Sequence, residues 1–512
     1  MRPPSGLRLL LGLLLVLLTA ARLPQHDTAA PQAPEAASTA PGGLSPGARR
    51  AYAELLKLRV EPARALMQAE LKRAPNSAST LLVADCIDFT ELMILQDASR
   101  YAAVVAAQDR RLAALEKSAE AGPLREYARA EIRLHQAAAQ VTYQHEIQGA
   151  WSLRQAYQQM QAVVKRYPDF LPARKTLGMC QFMIGSLPEG YHWFLKLLGL
   201  PGSVAGGVQN LRLAAQNTHD FQPEARIILA LVQETYYKQG EETVRLVQQM
   251  AAQQPDNLLY SYLLLSLNKR LHRTDAALAA YRSRPTGPGY LSVPYLHHMA
   301  GDLLLYQGQY AASGRANHQF LQDYRGLHYR KDAAFKLYLA AWLSGDEQAA
   351  ERYRQQIGQA GRTVVEEDAY AQRFFEDKTP LNRTLTRARL QIDGGYYRPA
   401  LATLRGFSVS GLLRDRLEEP YRRARAYHGL GRLDSARLYY TRTIALSGGK
   451  APYYFGPQSA LQMGYLCQAD GQLNMARLYF QKVLDSPKHE YKNSTDAKAK
   501  VALAALPAAK IR

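Results

Sequence analysis

The sequence predicts an all-α protein, a right-handed α-solenoid of helix–turn–helix repeats. Small residues and glycines recur at fixed offsets through the last two thirds of the chain, and proline-ended motifs separate successive units. No stretch alternates apolar and polar residues as a half-buried strand would. The chain has 512 residues, of which 47% are hydrophobic and 21% charged. That is more than one ordinary compact core needs, and enough for two or three domains or one long repeat array.

The opening "MRPPSGLRLLLGLLLVLLTAARLPQ" places Arg2 and Arg8 before an apolar run from Leu9 to Leu18, followed by Thr19, Ala20 and Ala21. This is the order of a secretory signal peptide, expected over residues 1–21. The run is short for a membrane span, so no transmembrane segment is expected in the mature protein. Residues 22–47, rich in Ala, Pro, Gly and Ser, read as a disordered leader. The expected location is therefore exported, either periplasmic or associated with the outer envelope.

Residues 48–148 are rich in alanine, leucine and arginine with helical periodicity, as in "ARALMQAELKR" and "REYARAEIRLHQAAAQVTY". They read as divergent helical pairs that cap the array. From 149 onward a ruler emerges. Gly464 is followed by Gly471 seven residues on, Ala476 twelve on and Phe480 sixteen on. Ala424, Gly431, Ala436 and Tyr440 keep the same offsets, as do Ala388, Gly395, Ala400 and Leu404. So do Tyr338, Gly345, Ala350 and Arg354. Gly301, Gly308 and Ser313 fit, and so do Leu265, Ala277 and Tyr281 with His272 at the turn. Gln233 and Gly240 keep half of the pattern, and Gly178, Gly185, Gly190 and Phe194 complete it. A small residue lets two helices approach, glycine serves the tight turn, and an aromatic fills the space between pairs.

The turn positions 185, 240, 272, 308, 345, 395, 431 and 471 are mostly separated by close to the roughly 34 residues of the tetratricopeptide repeat, which this pattern resembles. "RYPDF" and "QQPDN" resemble its inter-repeat endings, where proline stops the second helix. The tetratricopeptide-like repeats are expected over 149–360, with an insertion at 199–222, and over 361–512, where the steps allow another insertion around 361–380. "STDAKAKVALAAL" reads as a closing helix with Ser494 or Thr495 near its N-cap.

Catalytic motifs are absent. "HEIQG" has Gly149 where a zinc-protease helix needs its second histidine, and His297 and His298 are adjacent, so on a helix they diverge. "GLGRLD" lacks the third glycine of a dinucleotide loop, and "GSLPEGY" lacks the Lys-Ser/Thr of a phosphate loop. No enzyme activity, cofactor or metal is expected. Cys86, Cys180 and Cys467 are too few and too far apart for a disulfide framework or zinc site, and read as buried small hydrophobes.

The charge balance, 64 basic against 44 acidic residues, gives +20. Export argues against nucleic acid as the partner, and no basic tail exists; an anionic envelope surface or an acidic protein fits better. Thirty-two tyrosines against 12 phenylalanines suit a groove packed behind and wet in front. One residue past the small position of each first helix should face that groove. This selects Arg389, Arg425 and Tyr465 as candidate peptide-binding residues, the arginines as carboxylate clamps. Arg422 and Arg423 nearby read as surface charge.

The stretch "GMCQFMIGSLPEGYHWFLKLLGLPGSVAGGVQNLRLAAQ" with "FQPEARIILALVQETYY" is similar to a block of one tetratricopeptide family, the inclusion-body clearance type related to tetratricopeptide repeat protein thirty-nine. Ser186-Leu187-Pro188, Leu195 to Leu198, Gly199-Leu200-Pro201-Gly202 and Gly207 through Ala214 carry the likeness. The C-terminal "APYYFGPQSALQMGYLCQADGQLNMARLYFQKVLDSPKHEYKNSTDAKAKVALAAL" resembles that family's last repeat and closing helix. The sequence departs in its signal peptide and in Ser203, where the family has an acidic residue. The resemblance implies an exported, bacterial form of a non-enzymatic scaffold or adaptor that binds proteins or peptides. The alternative is a basic solenoid that binds anionic envelope glycan or lipid.

Overall fold

The computed structural model describes residues 43–187, 195, 199–237, 239–359, 361–377, 380–408, 411–449 and 451–507. The expected signal peptide and most of the expected leader lie outside them, as do Pro188, Gly190, Phe194 and the run 196–198. Among the described residues there are 24 helices and no strand, so the fold is all-α.

The protein divides into two compact units. The first comprises the described residues up to Leu267 with Ala279–His297 and Gln319–Leu327; the second comprises Asn268–Leu278, His298–His318 and everything described from His328 onward. The early helices are α1 (Pro46–Leu56), α2 (Val60–Arg73), α3 (Ala78–Leu95), α4 (Ala98–Lys117), α5 (Pro123–Thr142) and α6 (Glu146–Arg166). They continue as α7 (Leu171–Gly185), α8 (Val204–Gln216), α9 (Gln222–Tyr237), α10 (Gly240–Gln253) and α11 (Leu258–Arg270). Next come α12 (Thr274–Arg282), α13 (Tyr295–Tyr306), α14 (Tyr310–Asp323), α15 (Arg330–Ser344), α16 (Glu347–Gln359) and α17 (Glu366–Glu376). The last are α18 (Arg383–Asp393), α19 (Tyr397–Arg405), α20 (Leu413–Gly429), α21 (Leu433–Ser447), α22 (Phe455–Ala469), α23 (Leu473–Leu484) and α24 (Lys492–Ala505).

Neighbours in sequence pack as pairs, and the first helix of each pair also packs on the first helix of the next. In the first unit this joins α1, α3, α5, α7 and α9; in the second it joins α18, α20, α22 and α24. This is the local packing of an α-solenoid of tetratricopeptide-like repeats.

The ruler residues do what their spacing predicts. Ala388, Ala400, Ala424, Ala436 and Ala476 are fully buried between paired helices, with Leu404, Tyr440 and Phe480 buried behind them. At Gly464 a methyl would strike the ring of Phe480, so the offset of sixteen is a steric fit. Of the eight turn positions, Gly308, Gly345, Gly395, Gly431, Gly471 and His272 adopt the left-handed backbone, φ +56 to +93. The other two, Gly185 and Gly240, lie inside α7 and α10 instead.

The helix at 204–216, expected as an insertion, is the antiparallel partner of α7. A methyl on Gly178 would lie 2.8 Å from the Gly207 carbonyl oxygen, and one on Gly207 would lie 2.9 Å from the Phe182 Cα. Gly207 thus makes a close contact on α7; Gly190, to which the ruler assigned such a contact, lies outside the described residues. Closure of a helix pair depends on which small residues meet in space, and the intervening segment can lengthen without changing them. The closing helix α24 begins at Lys492 rather than near Ser494, with Tyr491 at its N-cap and Thr495 Oγ1 bonded to the Tyr491 carbonyl at 2.9 Å. Cys86, Cys180 and Cys467 are buried and unbridged, as their scatter predicted. No helix among the described residues is long and apolar enough to cross a membrane.

Candidate functional site

In the first unit, many charged side chains along α2 to α9 pair with one another. Arg100 donates to Glu91 at 2.7 Å, and Arg64 bridges Glu91 at 2.7 Å and Asp88 at 3.0 Å. Arg111 joins Asp88 to Asp85, and Asp85 meets His135 Nδ1 at 2.7 Å. Further along, Lys175 Nζ donates to Glu131 at 3.0 Å and to Glu224 at 2.8 Å, Thr176 donates to Glu131 at 2.7 Å, and Tyr52 Oη donates to Glu224 at 2.5 Å.

Burial alone would raise the Glu131 carboxyl, but the Lys175 ammonium overrides it and holds the carboxyl below the usual carboxylate range. Burial likewise disfavours the charged imidazole of His135, and the Asp85 hydrogen bond and charge reverse this and raise it. Lys175 is 2% exposed and sits over the rings of Phe221 and Tyr127. These groups form a ladder of mutual ion pairs and hydrogen bonds. A cleft of about 460 Å³ in the same unit is lined by Tyr167, Phe170 and Phe221 among others. Two of its polar groups are committed: Asp220 holds the Leu44 amide and Arg49, and His219 bonds the Ala214 carbonyl and the Phe221 amide.

The second unit has its own ion pairs, among them Lys269 and Lys336 with Asp302, but two of its arginines meet phenols. Arg389, on α18, donates from Nη1 to the Tyr370 hydroxyl at 2.6 Å. Arg425, one pair later on α20, lies 3.4 Å from the Tyr421 hydroxyl. Among the described residues neither guanidinium has a carboxylate within 4 Å, although the charge of Asp393 acts on both. The structure sets Arg389 and Arg425 on successive first helices, α18 and α20. It places Tyr465 elsewhere: that ring packs edge-on to Phe480, 5.4 Å between centroids, within the α22–α23 pair.

Arg422 corrects the sequence reading. Expected as surface charge, it is 4% exposed. Its Nε and Nη2 donate to Glu418 Oε1 at 2.9 and 2.7 Å, Nη2 also reaches the Tyr454 hydroxyl at 3.1 Å, and the guanidinium lies over Tyr421. The Glu418–Arg422 spacing of one helical turn was a readable signal for this pair. Its burial was not, because Tyr454 arrives from the next pair.

Sequence reasoning also missed the mouth of the cluster. Arg373, on α17, lies 3.6 Å from Glu490 and about 6 Å from the rings of Tyr370 and Tyr491. Tyr491 packs edge-on to Tyr454 at 5.4 Å. The result is four arginines interleaved with Tyr370, Tyr421 and Tyr454 along α17, α18, α20 and the segment preceding α22, with Glu490 and Tyr491 at its mouth. Such a surface can take up carboxylates by forked hydrogen bonding and aromatic groups by stacking.

Elsewhere in the second unit, His298 bonds Asn317 at 3.0 Å and Asp332 at 3.1 Å. The Asp368 carboxylate receives the amides of Tyr329 and Asp332 at 2.6 and 2.9 Å, and burial pushes it up to about 7. These groups hold the start of α15 and do not open onto the arginine cluster. No group of three or more metal-ligating side chains occurs among the described residues.

No protein-family model matches the sequence. No curated protein matches it either. Among solved structures it is similar to a monomeric mutant of IFIT1 with the capped RNA m7Gppp-AAAA, at 13% identity and a TM-score of 0.35, covering 94% of this chain and 95% of that one. It is also similar to the TPR domain of P58(IPK), at 11% identity and 0.21, covering 83% and 98%. A third is the APC/C hetero-tetramer Cut9–Hcn1, at 12% identity and 0.23, covering 88% and 95%. These scores are too low for the superpositions to carry weight. The fold assignment, an all-α solenoid of tetratricopeptide-like repeats, stands on the helix-pair geometry.

Proposed function

We propose that the protein is a non-enzymatic scaffold or adaptor that binds a protein or peptide partner on the inner face of its second unit. The observation that carries this reading is the pairing of Arg389 and Arg425 with phenols: each is half-buried, hydrogen-bonded to a tyrosine hydroxyl and, among the described residues, without a carboxylate within 4 Å. A guanidinium without a carboxylate partner keeps its forked donors for an incoming one, such as an acidic side chain or the terminal carboxylate of a peptide. Tyrosine around it adds contact area at little entropic cost.

The opening residues support a signal peptide over 1–21, and with it export to the periplasm or the outer envelope. The block 178–237 and the C-terminal repeat support kinship with the inclusion-body clearance type, in an exported bacterial form. The +20 balance supports a second reading, the binding of anionic envelope glycan or lipid.

Affinity capture from envelope extracts tests both. With Arg389→Ala and Arg425→Ala combined, partner capture should be lost while helicity is kept; unchanged capture discards the clamp. Binding that collapses between low and moderate salt favours the envelope polymer, and binding that persists favours the peptide groove.

A further inference from the structure

We infer that the segment His489–Tyr491 is a built-in occupant of the arginine–tyrosine cluster, and that the ligand displacing it is a peptide in which an acidic residue precedes an aromatic one. This rests on the reading of the second unit's inner face as a binding surface.

Glu490 and Tyr491 sit at the mouth of the cluster and present an acid and a phenol side by side to the groups that would receive a ligand. The Glu490 carboxylate stands 3.6 Å from Arg373 Nε, too far for a good hydrogen bond; that nitrogen is buried with no hydrogen-bond partner, while Nη2 of the same guanidinium donates to Glu366 at 2.7 Å. The Tyr491 ring leans on Tyr454, which also receives a hydrogen bond from Arg422, and it faces the Arg373 guanidinium at 5.8 Å. Within the same segment His489 Nε2 is buried without a partner.

The occupant is complementary in kind and loose in fit. Glu490 and Arg373 are each 39% exposed, and an ion pair that open to water contributes little. Burial and the acids Glu366 and Asp377 push the Glu490 carboxyl up, against the pull of Arg373 and Arg389, which weakens the charge it offers. Tyr491 is a non-glycine residue held at φ +61, a conformation that side chains tolerate poorly. Strain at the phenol and a long contact at the acid both favour release when a better acid–aromatic pair arrives. The apparent Kd is the intrinsic Kd divided by the open fraction, so releasing the occupant raises apparent affinity in proportion to the open fraction.

The probe is a labelled octapeptide of the protein's own sequence, PKHEYKNS, titrated into the full-length protein by fluorescence anisotropy. The comparison is wild type against Glu490→Gln combined with Tyr491→Gly, a glycine that suits the left-handed backbone. The variant should bind the peptide about tenfold more tightly than wild type, and adding Arg373→Ala should remove the gain. A peptide with Gln-Ala in place of Glu-Tyr should bind neither protein. Should the double variant fail to fold, Glu490→Gln alone, at an exposed position, should shift affinity in the same direction. Equal affinity for both proteins, or binding to neither, overturns the inference. If binding to neither is found while Arg389→Ala with Arg425→Ala still abolishes partner capture, the binding-face reading stands and only the built-in occupant falls.

Discussion

The imidazole Nδ1 of His272 donates to the backbone carbonyl of Asp393 at 2.8 Å. Two turns more than a hundred residues apart in sequence are thereby pinned together, and Thr274 Oγ1 adds a bond to the Gly394 carbonyl at 2.8 Å. Gly395 completes the joint: its φ is +82, and a methyl on it would collide with the His272 carbonyl oxygen.

Gly395 and Gly431 hold the same turn position in consecutive repeats, but Gly431, at φ +70, has nothing within 4 Å of where a methyl would go. Gly431→Ala should therefore cost only the left-handed penalty, about 1 kcal/mol. Gly395→Ala adds a collision with backbone and should cost about 2–4 kcal/mol. Urea unfolding of the two variants measures the difference, and equal losses would refute the joint.

Gly464→Ala forces a methyl against Phe480, whose ring is fully buried. A loss of about 1–3 kcal/mol is expected from overpacking. Phe480→Leu should be less damaging in the Gly464→Ala background than in wild type, and a double-mutant cycle gives the coupling.

Lys175→Met leaves Glu131 without its ammonium partner in a buried setting. A loss of about 3–5 kcal/mol is expected, read by chemical denaturation. The Glu131 pair also predicts acid sensitivity. A carboxyl held below its unfolded value contributes stability above about pH 4, and that contribution is lost as pH falls through the lower folded value.

Asp368 behaves in the opposite sense. Its folded value, about 7, exceeds the unfolded carboxylate value, so the folded state holds the proton more tightly. Stability from this group is fully present at low pH and is lost as pH rises from about 4 to 7. Asp368→Asn cannot titrate, so its stability should fall less steeply across that interval. Parallel slopes for the two proteins, measured by urea midpoints at each pH, would count against the assignment.

The repeats were legible because helix pairing demands small residues at fixed separations, and such demands leave marks such as Ala388, Ala424 and Gly464. The exceptions share one cause. Gly207 closes on Gly178 from beyond the expected repeat length because a contact is chosen in space, and a longer connection can carry the partner further along the sequence. The site was legible only in part. Arg389 and Arg425 follow from helical register, whereas the burial of Arg422 and the approach of Arg373, Glu490 and Tyr491 depend on which helices become neighbours. Tyr465 obeyed the register yet turned to Phe480, because a phenol gains more from a ring than from water.

The ion-pair ladder of the first unit has a consequence for how this protein can change over generations. An array held only by identical apolar seams can gain or lose a repeat and still close. Here each helix pair carries its own signs, with acids on α3, a base on α7 and an acid again on α9, and Tyr52 of the first pair bonded to Glu224 on α9. Removing the α7–α8 pair would leave Glu131 and Glu224 without the Lys175 ammonium between them. The ladder therefore ties α5, α7 and α9 to their order.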